Sequence, residues 1–131
     1  MSALEVGTEL PEVVQPSNLV TSVMYAAASG DMNPLHYDPD FAGKVSPTGA
    51  PIAHGMFSMG LVSRMLTSFA GGAEHVLELG VRFSKPWPLG TTARFGGRVT
   101  AVDDGIATVE VWGEVEGGER ILAGTGRIRT A

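Results

Sequence analysis

Residues Tyr25–Phe41 read YAAASGDMNPLHYDPDF. Within them Asp31 and His36 stand five residues apart, and the letters around them set the shape of the backbone. Gly30 permits a sharp exit from a preceding helix, Pro34 fixes its own φ, and Asn33, ahead of that proline, is biased away from helix. The acid and the imidazole are therefore presented on a bent segment and not along one helix face. Sharing one water, such a pair can take a proton from it and return a proton elsewhere, which is what adding water across an activated double bond requires. His36 suits the base, because an unperturbed imidazole titrates at about 6.5. Asp31 needs burial or a partner to tune it. The same letters also make a plain helix stop, since Asp and Asn beside Gly and Pro bond their own backbone. Spacing alone does not choose between the two.

The stretch resembles the signature of the MaoC-like dehydratases, the (R)-specific or type 2 enoyl-CoA hydratases, and Pro51–Met56, PIAHGM, resembles the second motif of that family. The likeness runs along the chain and points to the short members, including mycobacterial 3-hydroxyacyl-ACP dehydratase subunits. It implies an α+β protein with a single hotdog fold over residues 1–131, an antiparallel curled sheet wrapped around a long central helix. It also implies a hydro-lyase without cofactor or metal, which hydrates trans-2-enoyl thioesters to (3R)-3-hydroxyacyl thioesters by syn addition, or runs the reverse. Asp31 and His36 then form the catalytic dyad, and Asn33 holds their loop in shape. Which member of the dyad is acid and which is base stays open, because coupled groups titrate as a pair.

The second motif supplies the other half of that chemistry. Reaction at the α-carbon builds charge on the thioester oxygen, so the site needs donors aimed there. A helix N-terminus has free N–H groups and the favourable end of the dipole. His54-Gly55-Met56 opens the most apolar segment of the chain, and the resemblance makes the Gly55 amide the oxyanion donor. His54 is placed as a supporting residue, with a histidine satisfied by neighbouring backbone an equal reading. Some family members carry a serine six residues after the motif histidine; this chain has Gly60 there, with Ser58 and Ser63 at other offsets, which leaves a serine's role open.

Composition agrees with one small globular domain: 131 residues, 44% hydrophobic and 18% charged. The absence of cysteine removes disulfides and thiolate catalysis. With no charged-then-apolar leader and no run of 18 apolar residues, the expectation is a cytoplasmic protein with no membrane span. A formal charge of −5 argues against nucleic acid. Lys44, Arg64, Arg82 and Lys85 are candidates for a carrier phosphate, but each reads more readily as an ordinary solvated charge, and none is singled out. The acids and histidines Asp31, His36, Asp38, Asp40 and His54 have no recognised metal spacing, and the methionines fall at helical spacing in apolar runs, as core filler does.

Two helices are expected. Pro16-Ser17 starts the first, whose Leu19, Val20, Val23, Met24, Ala27 and Ala28 form one apolar stripe ending at Gly30. The second, about His54–Ala70, is apolar on nearly every side and so reads as buried; it ends at Gly71-Gly72. From Val76 the period becomes two, with Leu77, Leu79, Val81 and Phe83 on one face of a half-buried strand. After a loop at 85–90 come strands near 92–102, 106–115 and 120–129, with a hairpin turn at Asp103-Asp104-Gly105. A strand near Leu4–Val14 completes the sheet, and 37–50 reads as a flap or surface loop.

A small sheet leaves edges to cover, and the resemblance implies side-by-side pairing of hotdog domains. The partners expected are an acyl-CoA or acyl-ACP thioester and a second copy as homodimer, or a related hotdog subunit in a heteromer of which this chain is the catalytic half, acting on long-chain or steroid side-chain substrates. Two other functions share the fold: an acyl-thioesterase using carboxylate-activated water, against which the intact motif speaks, and a noncatalytic acyl-binding subunit, which predicts degraded motif residues.

Overall fold

Helix α3, Gly55–Ala70, is the element around which the rest is arranged. Its Leu61, Val62, Met65, Leu66 and Ala70 are buried, and they meet Phe95, Val99, Val109, Val111, Leu122 and Ile128 of the sheet in one continuous core. The computed structural model describes residues 4–129. Five strands, β1 (Val13–Pro16), β2 (Val76–Phe83), β3 (Thr92–Asp103), β4 (Ile106–Val115) and β5 (Arg120–Arg129), form an antiparallel sheet in the order β1-β3-β4-β5-β2. With α3 lying on this sheet, the protein has the α+β hotdog fold. Among the described residues no helix is long and apolar enough to cross a membrane.

Alternation on the central strands does what period two demands. Along β4, Ala107, Val109 and Val111 are fully buried while their neighbours are half-buried. Asp104 and Gly105, with φ of 50° and 74°, join β3 to β4 through a two-residue turn whose positive φ values match the strand twist.

The chain ahead of α3 departs from the sequence reading in three places. The strand expected at Leu4–Val14 is a bridge of Glu9 to Arg98, with Gly7 N–H donating to Val99 O and Leu10 N–H to Gly97 O, followed by the short β1. Pro11, which has no N–H to give, stands between the two. Helix α1, Leu19–Ser29, is capped by Asn18, whose side chain accepts from Thr21 N at 2.8 Å, one residue later than expected. Its apolar stripe faces outward: Val20 is 69% and Met24 66% exposed, and Leu19 and Val23 are exposed too. The inward face carries Ser22 and Ala26, small enough for close approach, and the Ser22 hydroxyl donates to His36 O at 2.6 Å. Residues 37–50 are only partly loop, because Asp38 caps a seven-residue helix, α2, Pro39–Val45.

On β2 a bulge between Val76 and Glu78 turns Leu77 outward. Leu79 and Val81 pack against the core as expected, but Phe83, at the end of this edge strand, remains exposed. The following loop is anchored by Trp87, which is buried and gives its indole N–H to Thr91 O at 3.3 Å.

Candidate active site

Gly30 ends α1 in the left-handed conformation, and from there every polar side chain up to His36 is used to bend the backbone. Ser29 Oγ accepts from Asp31 N, Asp31 Oδ1 from Asn33 N at 3.3 Å, and Asn33 Oδ1 from Leu35 N at 3.0 Å. Asn33 thereby caps a short 3-10 turn, Pro34–His36, with Pro34 at its start. Tyr37 Oη donates to Met32 O at 2.9 Å and closes the loop.

The bend brings the His36 and Asp31 side chains together with Nε2 and Oδ2 3.8 Å apart. That is too long for a direct hydrogen bond and suits a water held by both. His36 Nδ1 lies 2.8 Å from Ile52 O. A carbonyl only accepts, so Nδ1 donates, and the neutral ring keeps its bare nitrogen, Nε2, on the side of Asp31.

His54 links the two motifs. It is buried, its Nε2–H donates to the backbone carbonyl of Asp31 at 3.1 Å, and its ring lies against that of His36. Burial holds its pKa below the ordinary histidine value; the bond to Asp31 O opposes this, the neighbouring His36 adds to it, and the Asp31 charge opposes it weakly. His54 is therefore kept neutral. Behind it Tyr25, Phe57, Trp87 and Phe95 continue a run of ring contacts into the core, with centroid separations of 4.8 to 5.7 Å.

Gly55 is the first residue of α3, so its N–H has no partner inside the helix. It lines a cavity of about 350 Å³ together with His36, Ser58, Phe83, Lys85 and Trp87. A side chain at Gly55 would crowd the site, because a Cβ there would stand 3.3 Å from the Phe83 ring. Asp31 and Asn33 do not line this cavity; Asp31 reaches it only across the gap to His36. Ser58, not Gly60 or Ser63, is the serine that enters, buried one turn into α3.

Asp31, His36 and His54 bring their ligand atoms within 4.8 Å of one another. Their hydrogen bonds favour proton chemistry over an ion: His54 Nε2 and His36 Nδ1 each give a proton to a carbonyl, leaving the bare His36 nitrogen facing the carboxylate.

Several participants were not legible in the sequence. Ile52 acts through its carbonyl, which any residue carries. Tyr25 and Ser22 lie on a helix whose apolar stripe pointed the other way, and Phe83 looked like strand core. Trp87 stood in a stretch that composition marks as loop.

Comparisons with known proteins place the chain in a family. The model of the MaoC like domain matches residues 5–118. The chain is 34% identical over 119 residues to the 3-oxo-4,17-pregnadiene-20-carboxyl-CoA hydratase beta subunit of Mycobacterium tuberculosis, covering 90% of this chain and 91% of that one. Among solved structures, the (R)-hydratase from A. caviae involved in PHA biosynthesis superposes with a TM-score of 0.89 at 28% identity over the full length of both chains. A chain of the ChsH1-ChsH2 complex from Mycobacterium tuberculosis does so with a TM-score of 0.86 at 30% identity, again over both full lengths. A family match over most of the chain and a relative alike along nearly its whole length give one answer: the protein belongs to the MaoC-like domain family.

Proposed function

We propose that this protein is an (R)-specific enoyl-thioester hydratase, or 3-hydroxyacyl-thioester dehydratase in the reverse direction, with Asp31 and His36 as its dyad and the Gly55 N–H as oxyanion donor. One observation carries this reading: His36, its Nδ1 held 2.8 Å from Ile52 O, turns Nε2 toward the Asp31 carboxylate across 3.8 Å, beside a cavity that also receives the start of α3. In hydration, water held between the two groups gives its oxygen to the β-carbon. His36 Nε2 takes a proton from that water, and the pair returns one proton to the α-carbon. Charge that develops on the thioester oxygen meets the Gly55 N–H and the positive end of the α3 dipole. Asn33 keeps the loop bent, and His54 holds the Asp31 backbone. The chemistry calls for no cofactor.

The substrate reading is an acyl-CoA or acyl-ACP thioester. For assembly, a homodimer is favoured by β2, a sheet edge that no further strand covers among the described residues, and by the outward apolar face of α1. A heteromer in which this chain is the catalytic half is the second reading. It is supported by the likeness to a hydratase beta subunit and to a chain of a two-component complex.

The test is loss of enoyl-thioester absorbance with trans-2-enoyl-CoAs of increasing length, followed by chiral analysis. A (3R)-hydroxyacyl product supports the reading. A (3S) product, or thioester hydrolysis without hydration, removes it. Activity that appears only after a related subunit is added selects the heteromer.

A further inference from the structure

Four cations were candidates for holding a substrate phosphate, and the fold separates them. Of Lys44, Arg64, Arg82 and Lys85, only Lys85 lines the cavity shared by His36 and Gly55. Among the described residues that lining contains no acidic side chain. Lys85 forms no ion pair among the described residues, whereas Arg94, Arg98, Arg120 and Arg127 are each paired with glutamates.

The backbone that carries Lys85 is fixed from both sides. Before it, Ser84 N–H donates to Ile121 O at 2.9 Å and Ser84 Oγ to Arg120 O at 3.0 Å, tying the strand end to β5. After it, Trp87 O accepts from Ala53 N at 2.8 Å, and Leu89 N donates to Pro51 O at 3.1 Å. The 51–53 segment is the one whose Ile52 carbonyl holds His36. Pro86 biases Lys85 away from helical backbone, and the chain bends there. The ammonium is thus a mobile tip on a rigid base, in the same framework as the dyad.

We propose that Lys85 binds the phosphate of a phosphopantetheine arm on the thioester substrate. The proposal rests on the hydratase reading and extends it from the acyl end to the carrier end. The chain carries a formal charge of −5, which repels an anionic thioester, so a local unpaired cation at the cavity is what draws that end in. A lysine serves here as a point charge on a flexible stem, which suits a phosphate without demanding one geometry. The phosphate next to pantetheine is common to CoA and to a carrier-protein arm, so both kinds of substrate offer it.

The experiment compares one trans-2-enoyl group on three carriers: CoA, 4′-phosphopantetheine and pantetheine. For Lys85→Gln, KM should rise about threefold to fivefold with CoA and with phosphopantetheine, as an exposed charge contact allows. With pantetheine KM should stay unchanged, and kcat should hold throughout. Lys85→Arg should restore most of the loss, and Lys85→Glu should exceed it. An equal rise with pantetheine, or no rise with CoA, overturns the proposal. A rise confined to CoA also overturns it, because the contact would then lie on the nucleotide half. Calorimetric binding of saturated butanoyl-CoA to the wild type and to Lys85→Gln reads the contact without turnover, and equal affinities would overturn it too. If the wild type hydrates none of the three thioesters, the activity reading falls, while the binding comparison still decides Lys85.

Discussion

The imidazoles of His36 and His54 lie nearly flat on one another, with ring centroids 3.8 Å apart and planes 24° from parallel. Two cationic rings cannot be stacked in this way, so one must stay neutral, and burial selects His54. Its folded pKa lies below the ordinary value of 6.5, so between the two values the unfolded chain binds a proton that the folded chain refuses. The contribution of His54 to stability is therefore present above about pH 6.5 and is lost as pH falls toward its lowered value. Thermal unfolding followed from pH 7.5 to pH 5 should show Tm declining below about 6.5, with a shallower decline for His54→Gln. Identical slopes for the two proteins would mean that another group is responsible.

Asp31→Asn is the cleanest probe of the dyad. The amide keeps an oxygen for Asn33 N–H, and the side chain is about half exposed, so Tm should stay within about 2 °C. Turnover should fall by roughly 10²- to 10⁴-fold, the range of a lost acid–base group. His36→Ala should be as inactive but also less stable, because it strips the Ile52 carbonyl of its donor at 2.8 Å. Steady-state hydration kinetics beside calorimetry separate the two effects, and near-normal turnover in either variant would discard the dyad.

Gly55→Ala tests the crowding at the start of α3. The added Cβ meets the Phe83 ring at 3.3 Å, which the ring can relieve by moving a few tenths of an ångström into the cavity mouth. Folding should survive, and kcat/KM should drop about tenfold, less than the loss of an oxyanion donor outright. Adding Phe83→Ala should recover part of that loss. Strict additivity in the double-mutant cycle would show that the two positions do not interact.

Two glycines should answer oppositely to alanine. At Gly124 a Cβ would lie 2.7 Å from the Val81 Cα, backbone of the paired strand β2, so the β5–β2 ladder has to open. A loss of roughly 3 kcal/mol is expected, at the upper end of overpacking costs. At Gly60, exposed in the middle of α3, a Cβ meets nothing within 4 Å. Helix propensity should there stabilise the protein by about 0.5–1 kcal/mol. Denaturant melts of the two variants measure both.

The elements that local pattern governs were legible in advance. Strands β4 and β5 begin and end where alternation and turn residues put them, and α3 differs only in that His54 is its cap, not its first turn. Elements whose orientation depends on a neighbour were not. The stripe Leu19, Val20, Val23 and Met24 is a sound helix signal, yet which face of α1 turns inward was decided by the fit of Ser22 and Ala26 and by the bond from Ser22 to His36 O. At Leu77 a one-residue bulge reversed a side chain that perfect alternation would have buried.

By itself the sequence determined the chemistry on offer, since Asp31, Asn33, His36, His54 and Gly55 are residue types set in turn and helix-start contexts that short-range sterics enforce. Only the tertiary structure decided how that chemistry is arranged. The tautomer of His36 depends on the Ile52 carbonyl, the neutrality of His54 on its burial against Tyr25 and His36, and the place of Lys85 in the cavity on the lacing of 84–89 to β5 and to 51–53. Each of these is a contact between residues distant in the chain. Backbone carbonyls and cavity walls carry no side-chain signature, so no reading of the letters alone reveals them.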